Sequence, residues 1–261
     1  SNCPPGVRAR RAVNLPLGLA TGCAWLALGL GSHGIAIPAI CTAQIVWSVP
    51  STDLISFVVS FNSPWQLMLG WLAMIAAMMV PMLGEQLVQV VQRSSKSTRT
   101  ALLASLLGGF ILVWSLAGVL LIGLSIALRL AFASHIVPAL LVLAAAGIWQ
   151  ASPFKQHALN MCHRDPTFAP FGSKALWDCL RLGLRAGFWC FVSCWGIMLL
   201  ALMIPGFHLT AMVFASLVVW AERCERPNPP QWRLRLPRTF VKALTARVSL
   251  TAAKLNQAKL A

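Results

Sequence analysis

Five stretches of this chain carry no formal charge at all: residues 12–52, 54–84, 100–128, 130–154 and 186–221. A helix rises about 1.5 Å per residue and needs about 20 apolar residues to cross the hydrocarbon of a bilayer. At that length the runs predict spans near residues 14–31, 66–90, 101–128, 134–152, 186–204 and 206–222. The last run has room for two, because Ile204-Pro205-Gly206 interrupts it with a tight hairpin. The pattern predicts an all-α fold, a polytopic helical membrane protein with about six transmembrane helices in a domain over residues 14–222.

Polar positions orient that domain. Basic residues cluster at Arg8, Arg10 and Arg11, at Arg93, Lys96 and Arg99, at Lys155, Arg164, Lys174, Arg181 and Arg185, and again beyond Glu222. Of the 21 lysines and arginines, Arg129 alone falls on the opposite side. The positive-inside rule then puts both termini in the cytoplasm, with a basic tail over residues 1–13 and a cytoplasmic linker over about 153–185. Residues 223–261 alternate basic and apolar positions, as expected of an amphipathic tail lying on the inner leaflet. The net charge of +15 therefore reads as contact with anionic lipid, not with nucleic acid. The outer loop, about 34–64, is apolar with Asp53 its only formal charge. Trp47, Phe57, Phe61 and Trp65 suit the headgroup zone or the surface of another subunit.

Composition agrees and narrows the function. A mean hydropathy of +0.74 with only 10% charged residues excludes an ordinary soluble domain. No phosphate loop, nucleophile elbow or zinc-protease helix is present, so no enzyme is expected. No Asp or Glu sits mid-span, which argues against a proton-driven transporter. The eight cysteines do not make a disulfide framework. Cys41 is alone outside, Cys3, Cys162, Cys179 and Cys224 face a reducing cytoplasm, and Cys23, Cys190 and Cys194 fall within the membrane. The chain opens Ser-Asn-Cys without methionine, as expected of a processed or partial chain. Arg8 to Arg11 precede a hydrophobic run as in a signal peptide, but the run reads as a lasting first span.

Sulfur is the chemistry that stands out. Cys190, Cys194 and Met198 recur every four residues, so a helix stacks them on one face. Met74, Met78 and Met82 repeat likewise, with Met79 beside them and Pro81 kinking the helix near its inner end. Glu85 follows, where it can pair with an arginine. The two spans run in opposite directions, so Cys190, Cys194, Met78, Met79 and Met82 lie at similar depth in the inner half, with Cys162 just below. His157, Met161, Cys162 and His163 gather soft and borderline donors, though not at a zinc-knuckle spacing. The remaining histidines, His33, His135 and His208, fall near the outer edge. The third span, 101–128, offers no chemistry and reads as scaffold.

Three blocks of this sequence resemble a bacterial family of predicted metal-binding integral membrane proteins, a domain of unknown function. They are Trp71-Leu-Ala-Met74 through Pro81, Ala146-Gly-Ile-Trp-Gln150 through Lys155 to Cys162, and Gly183-Leu-Arg-Ala-Gly187 through Cys190, Cys194 and Met198. A helix ending in an acid, Glu222, follows in the family's order. Ser193 stands where the family has the first of a Cys-Cys pair, Ala158 where it often has a cysteine, and Met161 where it has a histidine. The resemblance implies a multi-pass protein of the bacterial inner membrane that handles a metal.

Two functions follow. In the first, Cys190 and Cys194 act as thiolates, Met78, Met82 and Met198 as thioethers, and Cys162 as a ligand at the cytoplasmic mouth. Thiolate with thioether favours copper(I), and thiolates alone suit zinc less specifically. Arg185 would lower a thiol pKa there. In the second, the sulfurs are packing and the chain is a non-catalytic accessory subunit of a larger membrane assembly, a bound pigment or haem being a lesser version, with the outer loop and C-terminal tail as its contact surfaces.

Overall fold

The computed structural model describes residues 5–32, 64–132, 136–163, 173–204 and 208–233. Their regular structure is entirely helical. The outer loop from 33 to 63 and the tail from 234 onward lie outside the described residues, and so do His33, His135, Cys3 and Cys41.

Helix α1 (Pro5–Ser32) packs against α2 (Pro64–Met78) and α3 (Gly84–Arg93). Leu28 and Val13 face inward while Leu15, Leu19 and Leu26 stay exposed. Between α2 and α3 the chain tightens into a 3₁₀ turn, Val80–Leu83, and the helix axis bends by 49°. Pro81 is the cause, since it lacks the N–H that would continue the α-helical ladder. The expected kink is therefore a full break. Beyond it α3 is amphipathic, with Leu87, Val88, Val90 and Val91 buried. Glu85 in its first turn meets Arg10 of α1 at 3.1 Å, the arginine partner expected for it.

Helices α4 (Arg99–Ala131) and α7 (Ser173–Met203) form the axis of the molecule and run parallel. Their register is set by small residues. A Cβ at Gly183 would stand 2.0 Å from the Leu106 carbonyl, and one at Gly109 2.5 Å from the Leu180 carbonyl. No side chain fits at either position, so the two backbones touch. Phe110 and Trp114 then fill the groove above, Trp114 meeting Phe191 edge to face at 6.1 Å. Farther along, Trp71 of α2 lies over Gly118 and donates its indole N–H to the Trp114 carbonyl at 2.7 Å. At the far end Arg129 donates to the Leu202 carbonyl at 2.8 Å, occupying one of the open carbonyls of the last turn of α7. Helix α7 starts at Ser173, well before the expected span at 186, so the last part of the predicted linker is one continuous helix with it.

Helix α5 (Ile136–Ala151) returns antiparallel to α7. Ala146 packs on Gly196, and the Trp149 indole donates to the Val192 carbonyl at 3.0 Å. At Ser152 the chain turns by 66° into α6 (Pro153–Cys162). Ser152 caps the new helix by accepting from the Lys155 N–H at 3.2 Å, and Pro153 takes the first-turn position where its missing N–H costs nothing. Helix α8 (His208–Arg223) closes the bundle against α7. The Pro-rich segment after it folds back: Asn160 donates to the Asn228 carbonyl at 2.8 Å, and the Arg233 N–H to that of Ala151 at 3.0 Å.

Among the described residues, three helices are long and apolar enough to cross a membrane, or up to five if each bent pair counts as one span. The expected six is not reached on that ground, because α8 has only 16 residues.

Candidate functional site

Cys190 and Cys194 sit one turn apart on the face of α7 that meets the end of α2 and the start of α6, and both are at most 2% exposed. The Cys190 Sγ lies 3.9 Å from the Sδ of Met79, which is fully buried at the break after α2. The Cys194 thiol donates back to the Cys190 carbonyl at 3.0 Å, and the Ser193 hydroxyl to the same carbonyl at 2.8 Å. Met78 and Met198 belong to the same buried core, and Met82 packs half-buried against it. Cys162, half-buried at the last turn of α6, completes the group. Arg223 at the end of α8 acts electrostatically on Cys162, Cys190 and Cys194 together.

Of the six sulfurs read from the sequence, Cys190 alone has a sulfur contact at 3.9 Å, while Met78, Met198 and Cys194 lie in the same core and Met82 packs against it. Among the described residues no three His, Cys, Asp or Glu side chains stand close enough to hold a metal ion between them. The sulfur that reaches Cys190 belongs to Met79, not to Met78 or Met82. Met79 still makes the α-helical hydrogen bond to the Ile75 carbonyl, so helix phase turns it one residue on from Met78, while the turn at Pro81 takes Met82 out of the row. The arginine differs too. Arg185 is exposed, and Arg223 is the one whose charge reaches the thiols. His157 stacks edge-on against Trp189, and His163 caps the end of α6. Burial and the Arg223 charge hold the His163 imidazole below its usual pKa.

The Cys190–Met79 pair has the spacing a soft ion requires. Two sulfurs each about 2.3 Å from one metal are at most about 4.6 Å apart. At 3.9 Å, the pair can hold an ion with little movement of either helix. Thioether is a poor ligand for hard cations and a good one for copper(I), so the donor set itself selects a soft metal.

Beside the sulfur lies a polar network that the sequence reading did not find. Lys155 is fully buried, and its ammonium meets the Glu222 carboxylate at 2.8 Å. Gln150 joins both, donating to Glu222 and accepting from Lys155. The Lys155 charge is felt at Cys194. Gln150 and Glu222 stand out in the sequence, whereas Lys155 looks like a loop residue. The missed signal is Ser152-Pro153, a helix cap that places Lys155 in a first turn packed on α7.

A family model described as PpoB2, copper chaperone, matches residues 68–242, more than half of the chain. No curated protein and no solved structure matches. The matched range takes in Met79, Cys162, Cys190, Cys194 and Arg223, and so the whole sulfur cluster. This chain belongs to the PpoB2 copper chaperone family.

Proposed function

We propose that the chain is a multi-pass protein of the bacterial cytoplasmic membrane that takes up copper(I) on sulfur near the inner face and passes it on without catalytic turnover. The observation that carries this reading is the buried Cys190–Met79 pair at 3.9 Å, with a second thiol one turn away and a third half-buried at the end of α6. Cys162, the most accessible of the three, receives the ion. Cys190 and Met79 then hold it away from water, and Cys194, Met78, Met82 and Met198 supply further sulfur as the ion moves deeper. Each thiol releases its proton on binding, so uptake weakens as pH falls. A buried thioether favours copper(I) over zinc.

The membrane placement rests on the uncharged runs and on the exposed apolar faces of α4, α5 and α8, where Leu116, Leu120, Leu140 and Phe214 point outward. The cytoplasmic orientation rests on the distribution of Lys and Arg. A recipient protein docks through the outer loop or the C-terminal tail.

The test is copper content after anaerobic loading of the detergent-purified chain. Wild type is expected to retain about one copper(I) per chain against a competing chelator, as a single sulfur site implies. Cys190→Ser with Cys194→Ser is expected to lose it, and Met79→Leu to weaken it about tenfold, the scale of one ligand or its close support. Retention unchanged in the double serine variant would sink the reading.

A further inference from the structure

Cys190 is 2% exposed and Met79 is fully buried, so an ion reaches the pair only if something that covers it moves. The start of α6 is part of that cover. His157 of α6 rests on Trp189, the residue before Cys190, with 5.5 Å between the rings. Among the described elements α6 alone contributes no side chain to the apolar core that joins the other helices. Its buried face is mostly polar instead, with Ser152, Lys155 and Gln156 beside Ala158 and Leu159. An element with few buried apolar contacts opens at lower cost than its neighbours. The backbone at its start is also uncoupled from α5. The chain bends by 66° at Ser152, and Pro153 has no N–H to offer back. The Lys155 N–H goes to the Ser152 hydroxyl, not to the Ala151 carbonyl that a continuous helix would give it.

One stretch of chain fastens α6 down. The Glu222 carboxylate at the end of α8 meets the Lys155 ammonium at 2.8 Å. The segment that follows reaches Arg233 without helix and is stiffened by Pro227, Pro229 and Pro230. Midway, the Asn160 amide donates to the Asn228 carbonyl at 2.8 Å and accepts from the Asn228 N–H at 3.3 Å. At its end the Arg233 N–H takes up, at 3.0 Å, the Ala151 carbonyl that the bend released. The three attachments lie at the hinge, in the first turn and near the far end of α6, and all are polar. We infer that α6 is a hinged lid over the Cys190–Met79 pair, and that residues 222–233 are the strap that keeps it shut. This rests on the proposed copper(I) site and adds the route by which the ion enters it. Cys162 stands in the last turn of the lid, so the thiol that receives the ion swings out with α6, and closure delivers the ion to the buried pair.

The test uses the full chain in detergent, first without metal. N-ethylmaleimide is added anaerobically and the labelling of each cysteine is followed by peptide mass spectrometry, each rate being divided by that of the same cysteine in the denatured chain. Cys179 is the reference. It is as buried as Cys190, but it lies on the stretch of α7 held to α4, where the Leu176 and Leu180 carbonyls meet Ser105 and Gly109. In wild type Cys190 is expected to label at least about tenfold faster than Cys179, because only the lid has to open. Asn160→Ala cuts both hydrogen bonds to Asn228. It is expected to speed the labelling of Cys190 about tenfold, the scale of one or two net hydrogen bonds, and to leave Cys179 unchanged. Copper(I) uptake and release, followed against a chromogenic chelator, are expected to quicken together in that variant with the affinity unmoved, since the lid is shut over both the empty and the loaded site. Equal rates for Cys190 and Cys179 in wild type would overturn the lid, and that comparison decides even where Asn160→Ala does not fold. A folded Asn160→Ala chain that labels Cys190 no faster, or both cysteines faster alike, would overturn it too. Fast labelling of Cys190 in a wild-type chain that retains no copper(I) would leave the lid standing and sink the proposed function instead.

Discussion

Lys155 and Glu222 meet where neither charge reaches water, and Gln150 closes the remaining hydrogen bonds around them. A buried ion pair adds little over a well-packed apolar pair, but breaking one side leaves a bare charge inside. Lys155→Met is therefore expected to destabilise the protein by about 3–5 kcal/mol, enough to lower the thermal midpoint in detergent by several degrees. Lys155→Met with Glu222→Gln removes the stranded charge and leaves an amide for Gln150, so it is expected to recover part of that loss. A double variant less stable than the single one would contradict the assignment. At this scale the sequence was partly legible. Spacing alone marked Cys190, Cys194 and Met198, because a four-residue interval survives on an unbroken helix. It did not single out Met79 or Arg223, whose contacts depend on how α2 and α8 pack in the bundle, which no local pattern encodes.

Elements explain how the sulfur is held still. Cys190 can face α2 and α6 because α7 is locked to α4 by backbone contact at Gly109 and Gly183. Gly183→Ala has no room, its Cβ falling on a main-chain carbonyl that can move only with its whole helix. Forced overpacking of this kind costs about 1–3 kcal/mol. Gly108→Ala, one residue from the contact and with nothing within 4 Å of its Cβ, is expected to be neutral or stabilising by up to about 1 kcal/mol. Thermal unfolding of the two variants side by side checks the register of the pair; equal midpoints would overturn it. The two glycines look alike in the sequence, and only the partner helix tells them apart. The bends were easier to read, because Pro81 and Pro153 each remove a backbone donor wherever they stand. What those prolines could not reveal is that α6 turns back against α7 and brings Cys162 up to the other thiols.

At the scale of the whole molecule, outward-facing leucines and inward-facing sulfur point to one arrangement of water and lipid. Leu112, Leu116, Val119 and Leu120 make a continuous apolar strip on α4 that water would not tolerate over such a length. Cys224 and Cys23 are both exposed, yet the proposed membrane gives them different surroundings. Cys224 follows α8 among Arg223, Glu225 and Arg226, in cytoplasmic water, whereas Cys23 lies midway along α1 in hydrocarbon. Maleimides react with thiolates, which form only where water or a cation stabilises them. In a chain with Cys3 and Cys41 replaced by serine, an impermeant maleimide is thus expected to label Cys224 in inside-out vesicles and not in intact cells. Cys23 is expected to stay unlabelled in both until detergent is added. Labelling of Cys224 from the outside would reverse the orientation and move the copper site to the opposite face of the membrane. Labelling of Cys23 without detergent would remove the bilayer from the first helix altogether. Because Cys162 lies at the same end of the bundle as Cys224, the first result also decides from which compartment copper(I) reaches Cys190.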